Sequence, residues 1–284
     1  MGNRSTTLRN LLILAGVLAA VLFIAAALIA ANLDRSASES FRSTYHYELK
    51  ISTSGPIENA VLLLPLPSRY DPGIGANVTP IDLSRVSLRN FDRDDIAVRI
   101  ESVDGVPMLN ISADRIDPLY TNRIMPIPIM PGQNESELPR PTHIYSDRYS
   151  EETPVLVDME LRVSSTGSSE IETRAPVGAE PLFAPYRIVG NLTDPTDGYH
   201  HASPGSSGYA VEVPLVLFYD AADENILMIS ADFEGRNEWW IMGWRFNSYR
   251  ESVSHEFTGP CNGIYPAKGI LVAGEGVYRN PGDR

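Results

Sequence analysis

From Leu11 to Ala31 the chain runs for twenty-one residues without a charged or strongly polar side chain, bounded by Asn10 and Asn32. As an α-helix this run is roughly 31 Å long, matching a bilayer hydrocarbon core of about 30 Å. Twelve of its residues are Leu, Ile, Val or Phe, each favouring insertion by roughly 0.3–0.6 kcal/mol near the helix centre. The run therefore predicts a transmembrane helix over 11–31, with the lipid bilayer as its partner. A signal peptide competes with that reading, because Arg4 and Arg9 form a positive leader and Ala25, Ala27, Ala30 and Ala31 are small enough for a cleavage site. Signal-peptide apolar regions run to roughly 7–15 residues, so the length favours a retained anchor.

Orientation follows from what flanks the helix. Arg4 and Arg9 precede it, while Arg35, Arg42 and Lys50 follow closely, so the positive-inside comparison is nearly a tie. Two features break the tie: residues 1–10 form only a short tail, and four Asn-x-Ser/Thr sequons lie after the helix. Those glycosylation candidates are Asn77, Asn110, Asn134 and Asn191. The expectation is a cytoplasmic N-terminal tail (1–10) and an extracytoplasmic body at the cell membrane.

Composition narrows the body's partners. All 36 acidic residues follow the apolar run, as do all but two of the 23 basic ones, in a chain of formal net charge −13. So acidic a surface argues against nucleic acid or anionic lipid as the main partner of the body. The single cysteine excludes an intrachain disulfide and a cysteine-only zinc site.

Past a polar stretch taken as a tether (32–42), period-two alternation dominates. Tyr45, Tyr47, Leu49 and Ile51 alternate with polar residues, as do Val155 to Val163 and Leu227 to Phe233, the pattern of half-buried strands. Ala60 to Leu66 reads as a buried strand, and Trp240, Met242, Trp244 and Phe246 as one face of another. Gly235-Arg236-Asn237 reads as a hairpin turn between two such runs, and Pro260-Cys261-Asn262-Gly263 as a second turn. The expected fold class is mainly β, an antiparallel β-sandwich after one N-terminal helix. Five prolines in Pro126 to Pro141 suggest a connection (126–141) between two β-domains, 43–125 and 142–284.

Tyr45 to Pro67 (YHYELKISTSGPIENAVLLLPLP) and Gly105 to Ala113 (GVPMLNISA) resemble a pattern found in uncharacterised archaeal single-pass proteins with β-rich extracytoplasmic bodies. The resemblance implies a place in the archaeal cell envelope. It implies no activity, substrate or cofactor.

Motifs of catalysis are sparse. The chain has no Gly-x-Ser-x-Gly elbow, His-Glu-x-x-His, Walker loop or dinucleotide fingerprint, and no cofactor is predicted. The acidic loop Asp194 to Gly198 runs into Tyr199, His200 and His201, so Asp194, Asp197 and His200 are the candidate ligands of a divalent cation. Adjacent histidines on a regular strand face opposite ways, so such a site needs a loop conformation. Cys261 is read as an incidental thiol in a turn, and His255 as half-buried beside Val253 and Phe257. All three tryptophans lie between 239 and 244. Trp240 and Trp244 are expected to pack in the core, leaving Trp239, with Tyr199, as the surface binding candidate for an aromatic platform.

These readings favour a non-enzymatic envelope protein with a structural or recognition role, its partners being envelope proteins or glycans. Two alternatives are an envelope hydrolase assembled from dispersed His and Asp residues, and an accessory subunit of a membrane complex. In the second, Gly16, Ala19 and Ala20 provide a small-residue helix contact.

Overall fold

The computed structural model describes residues 3–91, 94–121, 131–132, 134, 145–146, 155–192 and 205–278. The chain opens with a helix, α1 (Asn3–Ser40). Strands β1 (Arg42–Thr53), β2 (Ile57–Pro65), β3 (Pro67–Asp71), β4 (Ala76–Val78), β5 (Ser87–Arg89), β6 (Ile96–Val103) and β7 (Val106–Ile116) follow. Three two-residue strands come next, β8 (Tyr120–Thr121), β9 (Tyr145–Ser146) and β10 (Val155–Leu156), then β11 (Met159–Thr166), β12 (Leu182–Phe183) and β13 (Arg187–Leu192). Four long strands complete the fold: β14 (Ser207–Ala221), β15 (Ile226–Trp240), β16 (Trp244–Thr258) and β17 (Cys261–Gly276).

The helix outruns its apolar segment. Residues 32–40, read as a tether, extend it by nine residues, or roughly 13 Å. Adding a turn to an existing helix avoids the nucleation cost that a separate helix would carry. Local contacts hold the extension: Arg35 pairs with Glu39 at 2.8 Å, and the Ser38 and Ser40 hydroxyls donate back to the carbonyls of Asp34 and Ser36. Ala37 is buried completely, with Leu33, Ser36 and Ser40 half-buried on the same face. Only Phe41 separates the helix from β1.

The body is mainly β and antiparallel, as expected. Eleven strands form one sheet along the path β5-β11-β1-β15-β16-β17-β14-β2-β7-β6, with β13 pairing β14 beside it. Strands from both sides of residues 126–141 alternate within it. The main sheet therefore draws strands from both sides of that stretch instead of dividing there into two β-domains. Two three-stranded sheets, β10-β8-β9 and β12-β3-β4, accompany it among the described residues. The pairing β8–β9 and β8–β10 brings the flanks of the Pro-rich stretch together.

The sheet curls so that its inner face meets itself. Tyr47 on β1 donates its hydroxyl to the carbonyl of Pro65 at the end of β2 (3.2 Å), although four strands separate β1 from β2 along the path. The inner face carries one apolar core, with Leu49, Leu161, Phe233 and Leu271 on one stretch and Leu62, Leu109, Leu215 and Leu217 on another. Between β16 and β17 the pairing covers only Asn247–Val253 against Gly269–Gly276. Beyond it the strands part, and Phe257 and Tyr265 fill the gap with their rings 5.5 Å apart. Pro214, which has no N–H to give, lies on β14 between the stretches paired to β13 and to β2.

Neither expected turn is a turn. β15 continues without a break through Gly235-Arg236-Asn237. There Gly235 faces Tyr249 on β16, and a Cβ at 235 would run into the Tyr249 ring, so glycine serves close packing at this point. The chain reverses at Ile241-Met242-Gly243, which divides the supposed strand Trp240–Phe246 between β15 and β16. Asn262 and Gly263 lie inside β17, and the reversal before it falls at Gly259, whose φ is +75°.

Candidate functional site

The continuity of β15 decides where the tryptophans point. Leu227, Ile229, Ala231 and Phe233 face inward, and the same phase carries Gly235, Asn237 and Trp239 into the core. Trp239 is 1% exposed, whereas Trp240 is 42% and Trp244 55% exposed. The expectation for these residues is thus inverted: Trp239 is a core residue and the pair is on the surface. A turn at 235–237 would have reset the alternation, and without it every later side chain keeps its original face.

Trp240 and Trp244 sit opposite each other across the hairpin, rings perpendicular and centroids 5.7 Å apart. Arg42 lays its guanidinium over the Trp244 ring at 4.8 Å and pairs with Glu238, Nε to Oε2, at 2.8 Å. Arg236 covers Phe246 at 4.1 Å. At the reversal, Met242 is 83% exposed and has a φ of +51°, a left-handed conformation uncommon for a side chain of its kind. The Trp240 N–H donates to Ser40 Oγ at 2.8 Å, fastening the hairpin end to the end of α1. An exposed aromatic and thioether cluster therefore stands beside the point where the helix enters the sheet.

Beneath it lies a satisfied polar network. Asn237 Oδ1 accepts from Ser43 Oγ and from the Ile171 N–H, while its amide nitrogen donates to the carbonyl of Ile171 and to Asn247 Oδ1. Thr173 Oγ1 donates to the same Asn247 oxygen at 3.0 Å. These bonds fix the segment 171–173 over the inner wall.

Farther along β16, Glu251 is fully enclosed. Its Oε2 accepts the Phe183 N–H at 2.6 Å, and its Oε1 has no hydrogen-bond partner among the described residues. Burial pushes the carboxyl up to about 8, against the opposing pull of the Phe183 bond, so it holds its proton at neutral pH. With Phe233 and Leu271 at the same level of the neighbouring strands, this acid belongs to the core and no substrate reaches it.

A shallow concavity of about 420 Å³ on the outer face is lined by His46, Glu48, Arg162, Asp232, Glu234 and Arg250. Arg162 pairs with Glu48 at 2.9 Å and Glu160 at 3.0 Å, and Lys50 with Glu48 at 3.0 Å. Burial pushes the Glu48 carboxyl up, but its contacts with Lys50 and Arg162 outweigh that and hold it below the usual range. Burial raises Asp232, with Arg250 and Lys50 pulling the other way. These carboxylates are held by cations and form a charged, partly buried face.

The remaining candidates divide clearly. Asp194, Asp197, Tyr199, His200 and His201 lie outside the described residues. Among the described residues no group of three or more His, Cys, Asp or Glu side chains is placed to hold a metal ion. Asn110 does not suit glycosylation in the folded body: it is 2% exposed, and its amide nitrogen, the atom a glycan would take, donates to Glu101 Oε2 at 2.6 Å. The Asn77 amide donates to the Gly105 carbonyl, and Asn134 and Asn191 are exposed. Cys261 begins β17 and is buried opposite Tyr219, not in a turn. His255 is half-buried with its ring 4.6 Å from that of Phe257.

No family model, curated protein or solved structure matches this chain.

Proposed function

We propose that this chain is a single-pass membrane protein of the cell envelope, with its N-terminus cytoplasmic and its β-body outside. Its role is structural or one of recognition, with other envelope proteins or glycans as partners. The observation that carries the reading is the state of α1. Every Leu, Ile, Val and Phe from Ile13 to Ile29 is more than half exposed, Phe23 as much as 76%, and no part of the described body covers them. Burying such a side chain is worth about 1.5–3 kcal/mol, and the bilayer is the medium that supplies this burial along a helix of spanning length. The helical extension joins the apolar run to the body without a break, because Ala37 and Ser40 are built into the fold of the body.

Membrane fractionation with alkaline extraction, followed by intact-mass measurement, tests the anchor. The expected result is a full-length chain that resists extraction. A soluble chain lacking the residues before Asn32 overturns it. Protease added to intact cells should degrade the body, and a body protected until the cells are lysed reverses the orientation.

A further inference from the structure

We propose that the β15–β16 hairpin end sits in the headgroup layer of the bilayer that α1 spans, with Trp240, Met242 and Trp244 as a second, interfacial anchor. The proposal rests on the membrane-anchored reading and adds to it a contact between the body and the lipid surface.

Topology sets the direction. β1 leaves the helix at Arg42, and the antiparallel β15 passes that residue at Glu238. Continuing through Trp239 and Trp240, β15 carries the reversal at 241–243 back alongside the helix. The covered helix face is Leu33, Ser36, Ala37 and Ser40, the i, i+3, i+4, i+7 spacing of a single stripe, and β15 is the strand that meets it. Leu33 lies roughly 3 Å, and Ser40 roughly 13 Å, beyond the last residue of the apolar run. The headgroup layer occupies about 5–8 Å on each side of the hydrocarbon core. Ser40, which takes the Trp240 N–H, thus stands outside this layer. The reversal at 241–243, running back along the helix by roughly 3.3 Å per residue, brings Met242 to headgroup height with the Trp240 and Trp244 rings flanking it.

Its chemistry suits that height. From Ser230 to Glu238 the outer face of β15 alternates through Ser230, Asp232, Glu234, Arg236 and Glu238, and toward the reversal exposed apolar residues replace charge. The other exposed apolar side chain of this face, Met228, lies at the far end of the strand. Tryptophan has an apolar body and one N–H donor, the combination enriched where lipid meets water. Arg42, lying over Trp244, keeps its charge in the same zone while its stem covers the ring. Met242 holds a left-handed backbone conformation that Asn or Gly adopts more easily. The residue kept there is an apolar, adaptable one. Because the chain is acidic, burial of apolar surface rather than attraction of charge makes this contact, and added salt should leave it unchanged.

The three tryptophans make the test direct. Full-length protein is reconstituted in phosphatidylcholine vesicles and in matching vesicles brominated at the headgroup end of the acyl chains. Flotation reports anchoring, and tryptophan emission reports contact. Wild-type protein should float and lose roughly half its emission to bromine, because Trp240 and Trp244 meet the lipid and Trp239 is shielded. The double variant W240F/W244F should float with its emission unquenched. Met242→Asn, which suits the left-handed turn, should retain or raise thermal stability while reducing the quenching. Protein that floats but emits equally in both vesicles overturns the hairpin contact and leaves the anchor standing. Equal quenching in W240F/W244F and wild type assigns the signal to Trp239 and also overturns the contact. Failure to float overturns both readings.

Discussion

Trp239 and Trp240 are neighbours in the chain, yet one is sealed within the curled sheet and the other faces out beside α1. The same contrast runs through the whole β15–β16 hairpin. Its inner face carries Phe233, Asn237, Trp239, Tyr249 and Glu251, where every polar atom must find a partner or give up its charge. Its outer face carries Trp240, Trp244, Phe246 and Arg236, where rings and guanidiniums stack in the open. Residue type does not separate the two sets, since both contain aromatics and charged groups. Strand phase does, and phase is set by where the chain turns.

Substitutions on the two faces should therefore differ sharply. Trp239→Ala should cost about 3–5 kcal/mol by the cavity it leaves, whereas Trp240→Ser should change stability in detergent by no more than about 0.5 kcal/mol. Urea midpoints of the two variants measure this, and equal losses would break the distinction.

The next largest effect concerns the enclosed acid. Between the ordinary glutamate value of 4.5 and about 8, the folded chain keeps the Glu251 proton and the unfolded chain has lost it. Stability should fall as pH rises through that window, by up to about 1.4 kcal/mol per pH unit, and level off above it. Glu251→Gln keeps an acceptor for the Phe183 N–H and removes the ionisation. Its unfolding midpoint should vary less with pH and exceed that of the wild type at the alkaline end.

Gly235→Ala sharpens the comparison further, since it adds one methyl group to the inner face beneath the Tyr249 ring. A loss of about 1–3 kcal/mol is expected from overpacking, read as a lowered melting temperature. Ser40→Ala should cost less, about 0.5–1.5 kcal/mol, because it removes one acceptor from the Trp240 N–H where the hairpin meets the helix.

Much of this fold was legible in the sequence. The apolar run announced its helix by length alone, and the alternations around Leu49, Leu161 and Ile229 matched β1, β11 and β15. Errors arose where a local signal had a different cause. Gly235 looked like a turn former, but it makes room for a ring supplied by a residue fourteen positions later, which only the pairing of β15 with β16 reveals. The actual reversal at Ile241-Met242-Gly243 has an apolar residue in a place where Asn or Asp would have signalled it. The polar stretch after Ala31 looked like a linker because its helix is propagated from the apolar segment and held by the body. The prolines of 126–141 suggested a domain boundary, while the pairing of β1 with β11 and of β2 with β14 joins the sequence on either side of them. Asn110 met the sequon rule, and its burial depends on its place in β7.

The junction Ser40-Phe41-Arg42 also has a mechanical meaning. A pull transmitted through α1 enters the body at the first residue of β1, a strand hydrogen-bonded to β15 along one edge and to β11 along the other. Force along that strand loads both ladders in shear, so many rungs must give way together instead of peeling one after another. Displacement of the body against α1 should therefore meet its strongest resistance at this seam, and on the membrane-anchored reading proposed above the helix should leave the bilayer before β1 leaves the sheet.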